Sequence, residues 1–249
     1  MLGKKDPYLY LDFKQWCQSK GRNKYLGFTE RRGKKIGIRL DKYKIENEEL
    51  KFLSQLQHQV RKSNYLDIQT FEKSSEKVFP TIWLMVNILT FGQSIYMVKL
   101  MLPQSRRELS ENFFHANVTQ LISKLELLNL IRNICCHNGD LVDISLKTMP
   151  KVSGKYRQYL NVKNGNYPHR LAVVITVLLD LMYPLNDKYS FKHLERILNS
   201  LCEILGDDFA NKSAQNMGFK NKESIHEMSS LFKNSKIITF YPDGSYIYK

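Results

Sequence analysis

The chain has 249 residues, of which 43% are hydrophobic, and its formal net charge is +14. A chain of this length and apolar content can bury a sizeable core, which excludes the small folds that depend on disulfides or a structural metal. The basic excess favours a polyanionic partner, with nucleic acid first and an anionic membrane surface second. A basic soluble protein without such a partner is the alternative that composition leaves open.

The cysteines and the first residues indicate a cytoplasmic protein. Cys17, Cys135, Cys136 and Cys202 show none of the CxxC or Cys/His spacings that bind zinc. We expect all four to be reduced, with Cys135 and Cys136 as packing residues and not nucleophiles. No apolar segment typical of a signal peptide follows Met1. We expect no metal and no cofactor.

The first half of the chain is predicted to be mostly helical, with helices at about 8–19 and 46–62. Residues 20–44 are basic and glycine-containing, which is typical of a loop or a short hairpin, and 63–79 form a polar connection. The uncharged stretch Val78–Val98 is long enough to suggest a membrane span. Its scattered polar residues favour two buried helices that break near Phe91-Gly92.

Helical spacing continues through the second half, at 103–115, 118–137, 168–183 and 190–205. The 168–183 helix is apolar on every side, which predicts the centre of a bundle. Residues 146–167 are polar and predict a long surface loop. The tail from Ile237 to Tyr248 alternates around Pro242-Asp243-Gly244, which predicts a β-hairpin. The fold class is therefore all-α, a helical bundle with a C-terminal helical extension and a short terminal hairpin.

The helix at 118–137 carries polar side chains that could share one cleft. Its apolar stripe contains Val118, Leu121, Ile122, Leu125 and Leu128. The next position of that stripe is Arg132, where we expect a buried guanidinium. Asn133 and His137 lie four residues apart on one face, and Asn138-Gly139 is a common helix end, with glycine in the left-handed conformation.

These residue types suffice for metal-independent cleavage of RNA. Histidine transfers protons near neutral pH, arginine stabilises charge on a phosphate in the transition state, and asparagine can position a phosphate or ribose oxygen. One chain supplies one such histidine, which favours a homodimer. The structural alternative is that Arg132 pairs with a buried carboxylate, such as Asp140 or Asp180, and that His137 only caps the helix.

The stretch Leu130-Ile131-Arg132-Asn133-Ile134-Cys135-Cys136-His137-Asn138 resembles the LRNxCAHN signature of the Abi-like abortive-infection family, within the HEPN group of helical RNases. Upstream, Pro80-Thr81-Ile82-Trp83 and Thr90-Phe91-Gly92-Gln93-Ser94 resemble the family's P-x-W…SFG-x-xS block. A third, weaker resemblance is Asp6-Pro7-Tyr8-Leu9-Tyr10-Leu11-Asp12. Together these cover roughly residues 6–183.

The resemblance implies a HEPN-like Abi domain at 1–185, with a C-terminal helical extension at 186–249 packed on it. It implies a homodimeric endoribonuclease whose catalytic residues are Arg132, Asn133 and His137, and a role as a toxin or in phage defence. An RNA or protein antitoxin is an expected partner.

The sequence departs from the family pattern in places. Asn87 stands where members usually carry an acidic residue, and Asp140 lies where an arginine often follows the histidine. We expect a further N-terminal helical segment of the family to be missing. The alternatives are therefore a non-catalytic RNA-binding module, with a small RNA as one partner, and a sensor of a phage component.

A second RNA-binding element is predicted in the basic segment 20–44. Arg31, Arg32, Lys34 and Lys35 could contact phosphates, and Tyr25 could stack on a base. A solvated basic loop is the alternative. No membrane partner is expected.

Overall fold

The computed structural model describes residues 6–186, 190–204 and 206–231, together with the backbone of 238–240 and 246–248. The protein is mostly helical, as the sequence pattern predicted, and divides into two compact units, Met1–Ser110 and Glu111–Lys249. This division differs from the domains at 1–185 and 186–249, which stay a prediction.

The first unit combines short helices with a β-hairpin. Its elements are α1 (Phe13–Trp16), β1 (Gly21–Arg31), β2 (Lys34–Leu40), α2 (Lys42–Lys62), α3 (Leu66–Ser74), α4 (Ile82–Ile88), α5 (Phe91–Leu100) and α6 (Pro103–Phe114), in which the unit ends. Strands β1 and β2 pair antiparallel, so the hairpin alternative for residues 20–44 is confirmed. Helix α3 was not foreseen, because the sequence around it is polar and short.

An apolar cluster of buried side chains stabilises the first unit. Tyr10, Phe13 and Trp16 pack against Phe52 and Leu56 of α2, and all five side chains are buried. The polar ends of these rings are satisfied: the Tyr10 hydroxyl donates to the Pro80 carbonyl at 2.6 Å, and Trp16 Nε1 donates to the Tyr10 carbonyl at 3.1 Å. These hydrogen bonds offset the cost of removing the polar atoms from water, so burial of the rings stabilises the unit.

Two expected apolar stripes in this unit differ from the structure. The apolar spacing of α2 predicts an inner face made of Leu50, Leu53, Leu56 and Val60. Leu56 and Val60 are buried as predicted, together with Ile45 and Phe52, but Leu50 is 63% exposed. The uncharged segment does break into two helices, α4 and α5, yet Trp83 and Val86 of α4 are exposed. None of the helices in the described residues has the length and apolar character needed to cross a bilayer.

The second unit is built around one apolar helix. Its elements are α7 (Val118–Cys136), a 3-10 turn (Gly154–Tyr159), α8 (Leu171–Met182), α9 (Lys192–Glu203), α10 (Ala210–Asn216), α11 (Glu223–Ser230), β3 (Ile238–Phe240) and β4 (Tyr246–Tyr248). Helix α8 is buried along nearly its whole length, which confirms the predicted centre of a bundle. Strands β3 and β4 pair antiparallel, and the predicted turn at Pro242-Asp243-Gly244 lies outside the described residues.

The segment 146–167 is not the surface loop that its composition suggested. Leu146, Val152, Tyr156, Tyr159 and Leu160 are all buried. The tyrosine rings of this segment supply enough apolar area for it to pack into the unit. The polar residues between them dominate the composition and therefore suggested a surface loop.

The C-terminal helices pack on this same part of the chain. The Lys220 N–H donates to the Tyr159 carbonyl at 2.9 Å, and the Ala172 N–H donates to the Met217 carbonyl at 2.8 Å. Phe219 is fully buried. Residues 210–231 therefore belong to the core of the second unit.

Candidate functional site

Helix α7 carries the predicted catalytic residues at its C-terminal end. The helix begins where the Asn117 side chain accepts a hydrogen bond from the Gln120 N–H at 2.9 Å. Such an N-cap fixes the first turn of a helix. One face of α7 packs inward through its buried residues, which are Leu121, Ile122, Lys124, Leu127 and Ile131. The last turn projects beyond this packed face.

The chain reverses immediately after α7. The His137 N–H donates to the Asn133 carbonyl at 3.1 Å, and the Gly139 N–H donates to the Ile134 carbonyl at 2.8 Å. Asn138, with φ of 56°, adopts the left-handed conformation that the sequence had assigned to Gly139. Asparagine tolerates this conformation better than most side chains. His137 is therefore the residue at which the helix ends.

Gly139 is required for a different reason. A Cβ atom at this position would lie 2.6 Å from the Cγ2 atom of Ile134, closer than real side chains approach. The absence of a side chain lets the returning chain pass directly over the helix end. The helix stop at Asn138-Gly139 is confirmed, with the roles of its two residues exchanged.

Arg132, Asn133 and His137 are all exposed to solvent. The expectation of a buried guanidinium is wrong, because the last buried residue of α7 is Ile131 and Arg132 follows it. At 100° per residue, Arg132 lies within about 20° of buried Leu121 around the helix axis, so its exposure comes from its place in the last turn of α7 and not from its side of the helix. Arg132 therefore needs no buried counterion.

The first two side chains are in direct contact. Arg132 Nη1 donates a hydrogen bond to Asn133 Oδ1 at 3.2 Å. This bond orients the guanidinium and leaves the Asn133 amide nitrogen as a donor. His137 lies one turn further along the same face as Asn133. The three residues thus present a cation, an amide donor and an imidazole at one accessible helix end.

Neither carboxylate of the alternative interpretation pairs with Arg132. Asp180 accepts hydrogen bonds from Lys124 Nζ at 2.7 Å and from the Tyr156 hydroxyl at 2.9 Å. Asp140 accepts from the Val142 N–H at 2.8 Å. Within the described part of the chain, the one side-chain hydrogen bond of Arg132 is the bond to Asn133.

Two neighbouring cysteines also differ from expectation. Cys135 and Cys136 are exposed, so they are not packing residues, whereas Cys17 and Cys202 are buried. All four are free thiols, as predicted. The described residues contain no cluster of three or more His, Cys, Asp or Glu side chains that could hold a metal ion.

The second predicted element, the β1–β2 hairpin, displays its basic residues at the tip. Arg31 pairs with Lys34 across a two-residue turn, and Arg32 and Gly33 in that turn have φ values of 52° and 71°. Positive φ at both positions is the geometry of a type I′ turn. Arg31, Arg32, Lys34 and Lys35 are all exposed. Four cations are thus concentrated at one end of a narrow two-stranded element.

Tyr25 lies on this hairpin but is half-buried. The Arg106 guanidinium stacks over its ring at 4.6 Å, and Arg106 is itself buried. Arg106 also donates to the Lys99 carbonyl at 2.5 Å, which fixes its position. The aromatic ring of this hairpin that solvent reaches most freely is Phe28, which is 58% exposed.

The second unit contains a charged cluster that the sequence pattern did not predict. Asp180 is the single charged residue of apolar helix α8, and its carboxylate is approached by Lys124 and Lys155 at 2.7 and 3.0 Å. Burial alone would raise the pKa of the Asp180 carboxyl, but the two lysines outweigh burial and hold that pKa below its ordinary value. An isolated aspartate in an otherwise apolar helix was the available signal.

The chain belongs to the Abi-like protein family, whose model matches residues 1–143, more than half of the sequence. The matched range includes the Arg132, Asn133 and His137 helix end and the β1–β2 hairpin. No curated protein and no solved structure matches the chain. Family membership suggests a part in abortive infection, by which bacteria resist phage, and it confirms the resemblance that the sequence motifs indicated.

Proposed function

We propose that the protein is a metal-independent endoribonuclease of an abortive-infection or toxin-type phage-defence system, with a HEPN-type bundle. The observation that carries the proposal is the exposed end of α7, where Arg132 is hydrogen-bonded to Asn133 and His137 follows one turn later. Membership of the Abi-like family supports the biological setting.

The chemistry requires a proton acceptor and a stabilising cation at one phosphodiester. His137 takes the proton of the ribose 2′-hydroxyl, and the 2′-oxygen attacks the adjacent phosphorus. The 5′-oxygen leaves with a proton, so the products are a 2′,3′-cyclic phosphate and a 5′-hydroxyl. Arg132 stabilises the negative charge that develops on the phosphoryl oxygens, and the Asn133 amide orients one of them.

A second histidine would be needed to protonate the leaving oxygen efficiently, and a homodimer would provide it. Leu130 lies on the same helix face as Asn133 and His137 and is 49% exposed. Pairing of two α7 ends around a two-fold axis would bury this leucine and bring two histidines to one cleft.

The test is cleavage of RNA in EDTA by the wild type and by His137→Ala and Arg132→Ala. His193→Ala, which removes an exposed histidine of α9, is the matched control. We expect cleavage by the wild type and the control and a loss of at least about 100-fold in the two site variants. Sequencing of RNA 5′ ends then locates the cut. Cleavage that survives His137→Ala, or a folded wild type that leaves varied RNAs intact, would contradict the proposal.

The hairpin favours a second candidate, an RNA-binding module without catalysis. Its four exposed cations, Arg31, Arg32, Lys34 and Lys35, and the exposed Phe28 ring are suited to phosphates and bases. A plot of log affinity against log salt concentration has a negative slope for such binding. If all four cations contact single-stranded RNA, replacing them with glutamate should make this slope shallower by about 3. Lys73→Glu, on exposed α3, is the control. If the protein binds RNA without cleaving it, His137→Ala should leave both RNA binding and the cellular phenotype unchanged.

A further inference from the structure

A basic cavity lies in the second unit, apart from the residues of the α7 end. Its volume is about 390 Å³, and its lining includes Lys124, Lys151, Lys155, Asp180 and His115. Three lysines stand against one carboxylate, so the cavity carries an excess of positive charge. A cavity of this size is in the range of sites that bind small molecules.

The carboxylate in this cavity is already neutralised. Asp180 accepts hydrogen bonds from Lys124 Nζ at 2.7 Å and the Tyr156 hydroxyl at 2.9 Å, and Lys155 Nζ approaches it at 3.0 Å. Two ammonium groups therefore share this one carboxylate at the cavity wall. Lys151 adds a third, and no carboxylate of the described residues lies within salt-bridge distance of it.

The remaining lining suits a nucleoside. Phe114 and Tyr183 contribute aromatic surface, on which a base can stack. Gly154 borders the cavity, and a Cβ built there meets nothing within 4 Å, so space is available at this edge. His115 has a φ of 48°, a conformation that costs energy in a residue with a side chain and that clusters at functional sites.

We propose that this cavity binds a nucleoside phosphate, with Lys151 and Lys155 contacting the phosphate and the aromatic side chains contacting the base. The fixed Lys124–Asp180 pair holds Lys155 at the cavity wall. Positive charge focused in a partly enclosed cavity attracts anions more strongly than the same charge on an open surface. The ligand is either a free nucleotide or one nucleotide of an RNA strand, and the proposal does not depend on catalysis at His137.

The test is isothermal titration calorimetry with adenosine 5′-monophosphate, with adenosine, and with a short single-stranded RNA. The variants are Lys151→Gln and Lys155→Gln, and the control is Lys212→Gln, which removes one exposed lysine of α10. Circular dichroism establishes that each variant is folded. A lost charge-assisted hydrogen bond to phosphate should weaken binding about tenfold in each cavity variant and leave the control unchanged.

The ligand whose affinity falls in the cavity variants identifies the source of the phosphate. Weaker binding of the monophosphate in the cavity variants supports a free nucleotide, and weaker binding of the RNA alone supports one nucleotide of a strand. Adenosine that binds as tightly as the monophosphate would overturn the proposal. So would equal affinities of the wild type, the cavity variants and the control for both phosphate-bearing ligands.

Discussion

Replacement of Asp180 by asparagine removes the one negative charge of the α8 cluster and keeps the side-chain volume. The Lys124 side chain is only 11% exposed, so its ammonium group stays largely buried when its carboxylate partner is gone. Breaking a buried pair by removing one partner costs about 3–5 kcal/mol. We expect a loss near the lower end, about 3 kcal/mol, because Lys155 is 46% exposed and regains solvent easily.

Urea unfolding followed by far-ultraviolet circular dichroism measures this loss. Tryptophan fluorescence is unsuitable, because both tryptophans, Trp16 and Trp83, lie in the first unit. The matched control is Lys155→Gln, which we expect to cost no more than about 1 kcal/mol because the lysine is half-exposed. If Asp180→Asn is no more destabilised than Lys155→Gln, the idea that Lys124 depends on this carboxylate is refuted.

Acid should erase the difference between the wild type and Asp180→Asn. The unfolded carboxyl titrates near 3.8, and in the folded protein burial is outweighed by the two lysines, so the pKa is lower. The stabilisation by a carboxylate with a depressed pKa is complete above the unfolded value and is lost as the pH falls through the folded value. The gap between the two unfolding free energies should therefore be constant at neutral pH and shrink below about pH 4.

Two further substitutions, one in each unit and each with its own control, test the packing by urea unfolding. Gly139→Ala should lower the free energy of unfolding by about 1–3 kcal/mol, because the new Cβ atom would lie 2.6 Å from the Ile134 side chain. Gly154→Ala is the control and should cost less than about 1 kcal/mol, because nothing lies within 4 Å of the new Cβ atom. Equal costs would show that the close approach at the α7 end is absent. Leu56→Ala should cost about 2–5 kcal/mol, because Leu56 is fully buried, and Leu50→Ala about 0.5 kcal/mol or less, because Leu50 is 63% exposed. The reverse order would refute the difference in burial between these two leucines.

The sequence predicted those helices whose own residues determine them. Helix α8 is apolar on all sides, and no polar face competes with its burial. Helix α7 has a capping asparagine before it and an Asn-Gly stop after it, so both of its ends were recognisable. Helices α3, α10 and α11 are short and polar, and their stability comes from packing partners that a local pattern does not contain.

The helix end that carries the candidate site was predicted correctly, but the burial of Arg132 was not. The end of a helix is a local property, so His137 could be placed at the last turn of α7. Burial of Arg132 depends on whether other parts of the chain cover the last turn of α7, which the apolar spacing along the helix does not reveal. The Asp180 cluster joins residues 124, 155 and 180, and only the tertiary structure brings these distant positions together.

The early chain reversal after α7 has a consequence for the shape of any substrate. Asn138 and Gly139 turn the backbone back within two residues of His137, and the side chains of Arg132, Asn133 and His137 are all open to solvent at this helix end. Under the proposed function, a strand could be engaged at an interior linkage without threading a terminus through the protein. Covalently closed circles of RNA should then be cut as readily as linear molecules of the same sequence.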